Sequence, residues 1–409
     1  MSTQAPAPTN ALALEPNLVS ASLIVLLALI FGLAAFGTDM YLPAFPAIQR
    51  DFGATPQAVQ LSLSIFLYGN AIGHLVLGPL SDRFGRKPVL LGGLFVFALA
   101  SFGCAASVSI TELFAYRLAQ GGASAAGPVL VRALINDRVA RDQAAQMLAL
   151  LTGLMAFAAM LTPTLGGWIV QHGRWNTIFY SIGAMALALL VTAIFKVPET
   201  LPTERRLSRL GAREVASGYI EIGRNLKFWS YVLPPALMFA GVFAYAVVNS
   251  FLLINDLGMA EDFYGISYSL AACAYVAGSL AGRYLVGLLG IHRTIVCGLT
   301  IGLCAAVGSV VASLTLPIST ALVVVPGLCM FFSTSLMLPI ASSVAVSLFP
   351  MRAGSASAVA GFTQISFAGF SSAIAAYLYD STTLPLHAFT LGCCFAAVAI
   401  WVTSSRLRR

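Results

Sequence analysis

Long apolar runs separated by short polar turns extend along almost the whole chain. Each run is about the 20 residues that a helix needs to cross a bilayer, and none shows the two-residue alternation typical of a membrane barrel. The pattern therefore predicts an all-α integral membrane protein with 12 transmembrane helices in two six-helix bundles. The predicted spans are 18–45, 57–79, 88–107, 111–133, 144–171, 174–196, 228–256, 264–288, 292–314, 318–348, 353–379 and 386–405.

The polar stretches divide the chain into four parts. Residues 1–17 are polar and Pro-rich, and we expect a disordered tail. Residues 18–196 and 228–405 each hold six spans. The stretch 197–227 between them is the only long polar segment, and it is predicted to be a cytoplasmic linker with an amphipathic helix on the membrane surface.

The basic residues predict the orientation. All but three of the 22 Lys and Arg residues fall in the linker or in turns on one side if the amino terminus is inside. The exceptions are Arg50 and Arg174 outside and Arg117 within the fourth span. The positive-inside rule then places both termini of this multi-pass protein in the cytoplasm. The net charge of +7 is therefore not an indication of nucleic-acid binding.

The remaining composition gives no indication of an enzyme. Only 9% of the 409 residues are charged, and mean hydropathy is +0.89. The seven Cys lie in apolar stretches and are expected to pack without disulfides, and the four His have no metal-ligand spacing. No phosphate-binding loop or paired nucleophile and base is visible. We expect no catalytic residue, metal or cofactor.

The turn GPLSDRFGRKP joins the second and third spans, which must be antiparallel neighbours because its charges cannot enter hydrocarbon. An ordinary polar hairpin is one interpretation. The turn also resembles the signature loop of the major facilitator superfamily of transporters. The resemblance implies a charge network that closes the cytoplasmic side in the outward-facing state, with solvated loop charges as the alternative. Its residues are Gly78, Asp82, Arg83, Gly85, Arg86 and Asp137.

Asp39 is the only acid well inside a span, and such a carboxylate is by default a functional residue. A helix-end residue reaching the outer surface is the alternative. Arg117 is the only base buried in a span. At about 1.5 Å per residue both lie roughly 9 Å below the outer edge, so we expect them to face each other. A structural salt bridge would explain the pair equally.

The segments TDMYLP and RLAQG, around these two residues, resemble the drug/proton antiporters of the bicyclomycin- and chloramphenicol-resistance branch. The resemblance implies that Asp39 is the proton site and that Arg117 tunes it. A related exporter carries a second acid two turns earlier, where this chain has Phe31. We therefore expect one proton per cycle and poor export of dications.

The fifth span carries a motif associated with antiporters in this superfamily, except that Thr162 replaces the usual glycine. The matching residues are Gly153, Pro163, Gly166 and Gly167. Small residues at these spacings favour close helix packing, which is also the alternative to a functional role.

Aromatic and Met side chains with few polar anchors suit flexible, mostly apolar ligands. The candidates for the cavity wall are Tyr41, Phe66, Asn70, Met238, Phe239, Tyr245 and Asn249. Each is also compatible with simple helix packing, which is the role expected of His74.

Together with the resemblance, these patterns imply a monomeric, proton-coupled multidrug exporter of small, moderately hydrophobic compounds in a bacterial inner membrane. Its partners are the cargo, protons and the lipid bilayer, and no nucleic acid. The alternatives are export of a sugar or amino-acid derivative, and a receptor or scaffold that transports nothing.

Overall fold

A computed structural model describes residues 21–138, 141–205 and 212–408, and the regular structure within these ranges is helical. Ten helices are long and apolar enough to cross a membrane, and a bent pair at the start of the described chain gives an eleventh. A further helix of 32 residues, Arg141–His172, occupies the position of the fifth predicted span. The predicted all-α membrane architecture is confirmed.

Numbered along the chain, the long helices are α1 (three segments, Ala21–Phe31, Leu33–Asp39 and Phe45–Phe52), α2 (Pro56–Phe84), α3 (Arg86–Ala106), α4 (Ile110–Ser124 and Ala126–Asn136), α5 (Arg141–His172), α6 (Asn176–Lys196), α7 (Leu226–Ser250, continued by a π-helical turn, Phe251–Asp256), α8 (Glu261–Leu289), α9 (Ile291–Thr315), α10 (Thr320–Ser347), α11 (Ala353–Leu378) and α12 (Leu384–Thr403). We call the described parts of 21–196 and 226–408 the amino-terminal and carboxy-terminal halves.

Helix α1 departs most from its prediction as a single span over 18–45. It is interrupted at Gly32, where the chain bends by 45°, and continues to Phe52. A second interruption follows Asp39, where Pro43 lies in a 3₁₀ turn and cannot donate a helical hydrogen bond. Asp39 therefore ends a helical segment. The expected tail, 1–17, lies outside the described residues.

The turns that precede α3 and α9 have similar backbone geometry. Gly85, just before α3, has φ of 102°, and Gly290, just before α9, has φ of 79°. Residues with a side chain rarely adopt this conformation, so glycine is favoured at both turns. The two halves therefore share this turn geometry.

Glycines set how closely the helices approach. A β-carbon at Gly121 of α4 would overlap the carbonyl oxygen of Phe66 in α2, and one at Gly127 would overlap that of Ile30 in α1. Between the halves, α2 packs on α11 and α5 packs on α8. Small residues allow such backbone contacts in a bilayer, where van der Waals packing drives helix association.

A linker helix, Ala212–Gly223, connects the halves at the end where α2 ends and α11 begins. The Tyr219 hydroxyl donates a hydrogen bond to the carbonyl oxygen of Leu75 in α2, at 3.0 Å. Glu221 forms an ion pair with Arg352, just before α11, at 3.2 Å. The linker helix thus contacts both halves, whereas its location on the membrane surface remains a prediction.

Gly121→Ala is expected to destabilise the protein by roughly 1–3 kcal/mol, because the added methyl group overlaps the α2 backbone. Gly92→Ala in α3 is the matched control, since nothing lies within 4 Å of its β-carbon position. Thermal unfolding in detergent micelles compares the two. Equal stability of both variants would contradict the close α2–α4 contact.

Candidate functional site

The Asp39 carboxyl lies at the end of the second α1 segment and is half-buried. The Thr38 hydroxyl donates a hydrogen bond to its Oδ1 at 3.0 Å. Among the described residues, no Lys, Arg or His nitrogen lies within 4.0 Å of it. Asp39 is therefore a carboxyl group inside a membrane-spanning region without a neighbouring cation.

Helices α5 and α8 surround this end of α1. A β-carbon at Gly166 would overlap the carbonyl oxygen of Met40, and one at Gly167 would overlap that of Glu261 at the start of α8. Tyr264 and Tyr268 of α8 lie close enough to Asp39 to interact with it electrostatically. Asp39 thus faces the boundary between the two halves.

Arg117 is completely buried but does not pair with Asp39, which corrects the expectation that the two side chains meet. Its guanidinium donates to the carbonyl oxygen of Gly37 and to Oε1 of Gln120, both at 2.8 Å. Residues two apart on a helix point about 200° away from each other. Because Arg117 contacts α1 on the Gly37 side, Asp39 points to the opposite side.

Aromatic rings enclose the rest of the Arg117 guanidinium. Its central carbon lies 4.4 Å from the ring centre of Tyr41, 4.3 Å from Phe66 and 5.8 Å from Phe179. Its Nε and Nη2 have no hydrogen-bond partner among the described residues. Cation–π attraction and two hydrogen bonds therefore replace a carboxylate, and they join α1, α2, α4 and α6.

Most of the candidates for the cavity wall are buried in helix packing in this conformation, and a role in binding cargo stays a prediction for each of them. The buried residues are Tyr41, Phe66, Asn70, Met238, Tyr245 and Asn249. Phe239 is partly exposed and packs against Phe243. Asn249 lines a small cavity together with Tyr264 and Tyr268, the two tyrosines near Asp39.

The gate charges converge on Arg86. Its guanidinium lies 2.5 Å from Oδ1 of Asp82 and 3.2 Å from Oδ2 of Asp137. Arg83, which was expected in the same network, lies over the ring of Phe84 at 4.9 Å and has no carboxylate within 4.0 Å among the described residues. Because Arg83 directly follows Asp82 in α2, its side chain points in a different direction from that of Asp82 and away from the other gate charges.

Two linker residues that no sequence pattern indicated, Glu199 and Thr200, complete this network. Oε1 of Glu199 accepts hydrogen bonds from the backbone N–H groups of Arg86 at 3.0 Å and of Thr200 and Leu201 at 2.9 Å. The Thr200 hydroxyl donates to Oδ2 of Asp137 at 3.0 Å. The segment PET after α6 therefore holds the start of α3.

The antiporter motif is divided between two environments. Gly166, Gly167 and Pro163 lie at the contact with α1 and α8, where the Pro163 carbonyl oxygen is close to Gly265. Gly153 is exposed, with nothing within 4 Å of its β-carbon position. Three of the four motif residues therefore lie at the boundary that Asp39 also faces.

A sequence profile of the Major Facilitator Superfamily matches residues 27–376. The chain belongs to the major facilitator superfamily. A bicyclomycin resistance protein homolog of Haemophilus influenzae is 28% identical over 395 residues, or 94% of this chain and 96% of that protein. Multidrug resistance protein MdtL of Klebsiella pneumoniae is 29% identical over 329 residues, or 80% and 82%. These relatives agree with the branch that the TDMYLP and RLAQG segments indicate.

Solved structures of other superfamily members share the fold. The xylose transporter XylE from E. coli, in a partially occluded inward-open conformation, superposes with a TM-score of 0.72 at 15% identity, covering 93% of this chain and 98% of that one. A bacterial homologue of the lysosomal transporter Spinster gives 0.72 at 14% identity, covering 94% and 96%. This major facilitator protein is therefore a multi-pass bacterial membrane transporter.

Glu199→Gln is expected to destabilise the transporter by about 0.3–1 kcal/mol at neutral pH, because the carboxylate bonds three N–H groups near the start of α3. Burial raises the pKa of Glu199, but the N–H groups of Leu201, Arg86 and Thr200 outweigh it and lower the pKa below the usual 4.5. The stabilisation is therefore complete above pH 4.5 and is lost as pH falls through the lowered pKa.

Thermal unfolding of the wild type and the variant, at pH 7.5 and below pH 4, measures this difference. Glu204→Gln is the control, since Glu204 is an exposed acid of the same linker. The difference in unfolding temperature between the wild type and Glu199→Gln should become smaller below pH 4. The role of Glu199 would be contradicted if the two proteins unfolded at the same temperature at pH 7.5, or if Glu204→Gln lowered the unfolding temperature as much as Glu199→Gln.

Proposed function

We propose that this transporter exports small, moderately hydrophobic organic compounds from the bacterial cytoplasm in exchange for protons. The names of the bicyclomycin-resistance and multidrug-resistance relatives support export of drugs. We further propose an inner-membrane monomer with both termini in the cytoplasm, as the distribution of Lys and Arg favours.

The observation that carries the proposal is that no Lys, Arg or His nitrogen in the described part of the chain lies within 4.0 Å of the Asp39 carboxyl. In a low-dielectric region, a carboxyl without a counter-ion is favoured in its neutral, protonated form. When water reaches the same group in another conformation, the ionised form becomes accessible. Asp39 is therefore suited to bind a proton on one side of the membrane and to release it on the other.

Asp39 would exchange its proton at the boundary between the two halves, which must move relative to each other during transport. The carboxyl is followed at once by Met40, whose carbonyl contacts Gly166, and it faces Tyr264 and Tyr268 across the boundary. A change of one unit charge at this position alters the electrostatic energy of the contact between α1, α5 and α8. This is how we propose that protonation biases alternating access.

The inner network is proposed to hold one side of the cytoplasmic gate together. Arg86, Asp82, Asp137 and Glu199 join α2, α3, α4 and the segment after α6 within the amino-terminal half. Such a group moves as a unit when the halves rock against each other. Arg117 contributes similarly at greater depth, as a residue that fixes α1 rather than as a direct partner of Asp39.

The proton gradient is sufficient for concentrative export. One proton supplies about 1.4 kcal/mol per pH unit. Each net charge moved adds about 2.3 kcal/mol per 100 mV of membrane potential. With Asp39 as the single acid, and Phe31 where a related exporter has a second one, we propose one proton per cycle.

Asp39→Asn is expected to abolish compound-driven proton flux, with a loss of at least about tenfold, because an amide cannot carry the proton. Inside-out vesicles with an acid interior and a fluorescent pH-gradient dye measure the flux after addition of chloramphenicol and other amphipathic compounds. Asp380→Asn, in the exposed turn before α12, is the matched control and should behave as wild type.

Equal discharge by wild type and Asp39→Asn would show that Asp39 is structural. If no drug discharges the gradient in the wild type, the drug assignment is wrong, and sugar and amino-acid derivatives should then be screened.

A further inference from the structure

Arg132 lies in the second segment of α4, four residues before the helix ends, rather than in the turn that follows. Its guanidinium carbon lies 5.5 Å from the ring centre of Phe31 in α1. Its Nη1 donates to Oγ of Ser357 in α11 at 3.4 Å. The exposed Arg132 side chain therefore lies between the two halves.

No acid in the described ranges compensates the charge of Arg132. Among the described residues, no carboxylate oxygen lies within 4.0 Å of the Arg132 guanidinium. Three groups in the described part of the chain are near the Arg132 guanidinium. They are the Phe31 ring of α1, the Ser357 hydroxyl of α11 and the ring of His74 in α2, which interacts electrostatically with Arg132. An unpaired cation within a membrane-spanning region is costly and indicates a function.

The other bases of the amino-terminal core differ from Arg132. Arg86 is paired with two carboxylates, and Arg117 is completely buried and enclosed by rings. Arg132 alone of these three combines exposure, a weak hydrogen bond at 3.4 Å and the absence of a carboxylate partner. Its donor groups are therefore available to a ligand that enters between the halves.

We propose that Arg132 forms an anion-binding subsite, and that the cargo includes amphipathic organic anions with a carboxylate or sulfonate group. The guanidinium binds the anionic group with two N–H donors, and the Ser357 hydroxyl lies beside it as a second donor. Phe31 offers an apolar surface for the body of the cargo. This inference rests on the proposed export function, whose cargo class it specifies.

The same position predicts selectivity against cations. The charge that lies beside Phe31 is that of Arg132, and it is positive. A cationic ligand would therefore be repelled by Arg132, whereas an anionic ligand would be attracted. Exchange of a monoanion for one proton moves two charges per cycle, so the membrane potential would drive its export more strongly than that of a neutral compound.

Three probes with one aromatic body test the proposal. Naphthalene-2-sulfonate is a permanent anion, naphthalene-2-sulfonamide is its neutral analogue, and a naphthyl trimethylammonium salt is the cation. Binding to the purified full-length protein in detergent is measured by titration calorimetry. The wild type is expected to bind the sulfonate at least about tenfold more tightly than the sulfonamide, and to bind the cation most weakly.

Arg132→Gln should weaken sulfonate binding about tenfold to hundredfold and leave sulfonamide binding unchanged. Arg132→Lys keeps the charge and should retain most of the affinity. The control Arg224→Gln removes the same charge from an exposed position after the linker helix and should bind as wild type. If Arg132→Gln does not fold, the proposal is still tested by the preference of the wild type for the sulfonate over the sulfonamide, and by the affinity of Arg132→Lys for the sulfonate.

Three results would overturn the subsite: similar affinity of the wild type for sulfonate and sulfonamide, no binding of either, or an equal loss of both in Arg132→Gln. Because these titrations contain no proton gradient, they do not depend on coupling at Asp39. Failure of the anion subsite with intact drug-induced proton flux would leave the export function standing. Sulfonate binding without any proton flux would refute proton coupling at Asp39 but not the anion subsite.

Discussion

A bilayer offers no water to a charged side chain, and this constraint determines how the few charges within the helices of this protein are placed. Asp39, Arg117 and Arg132 meet it in two different ways. Arg117 is enclosed by aromatic rings and a backbone carbonyl, so that its charge serves the packing of the amino-terminal half. Asp39 and Arg132 have no opposite charge within 4.0 Å among the described residues, and both face the other half. These two charges are therefore the ones to which we assign proton and cargo binding in our proposals.

Glycine contacts set the geometry around these charges. Two successive glycines, Gly166 and Gly167, press α5 against α1 on one side and against α8 on the other. A side chain at either position would separate the helices and move Asp39 away from Tyr264 and Tyr268. The antiporter motif of the fifth span thus has a steric role that is directly linked to the acid. Gly153, which lies outside this contact, does not share it.

The spans and the gate charges were predictable because hydropathy and loop charge are properties of the chain in one dimension. Arg86, Asp82 and Asp137 converge as expected, since two antiparallel helices joined by a short turn have few alternatives. The predictions that failed concern the direction in which a side chain points from its helix axis. Arg117 contacts α1 two residues before Asp39, but the break in α1 and the contact at Gly37 turn the two side chains apart. Glu199 and Arg132 were missed because Arg86, which Glu199 binds, and Ser357, which Arg132 contacts, are each more than 100 residues away in the chain.

The separation of Asp39 from Arg132 has a consequence for coupling. Asp39 is part of α1, and Arg132 contacts α1 at Phe31, eight residues or about 12 Å earlier along a helix. The proposed proton and the proposed anionic cargo would therefore not compete for one site. Each would instead change the charge at a different contact between the halves, through α8 at Asp39 and through α11 at Arg132. Under these proposals, exchange of one for the other must be transmitted by the relative movement of the halves, and the broken helix α1 is the element that both sites share.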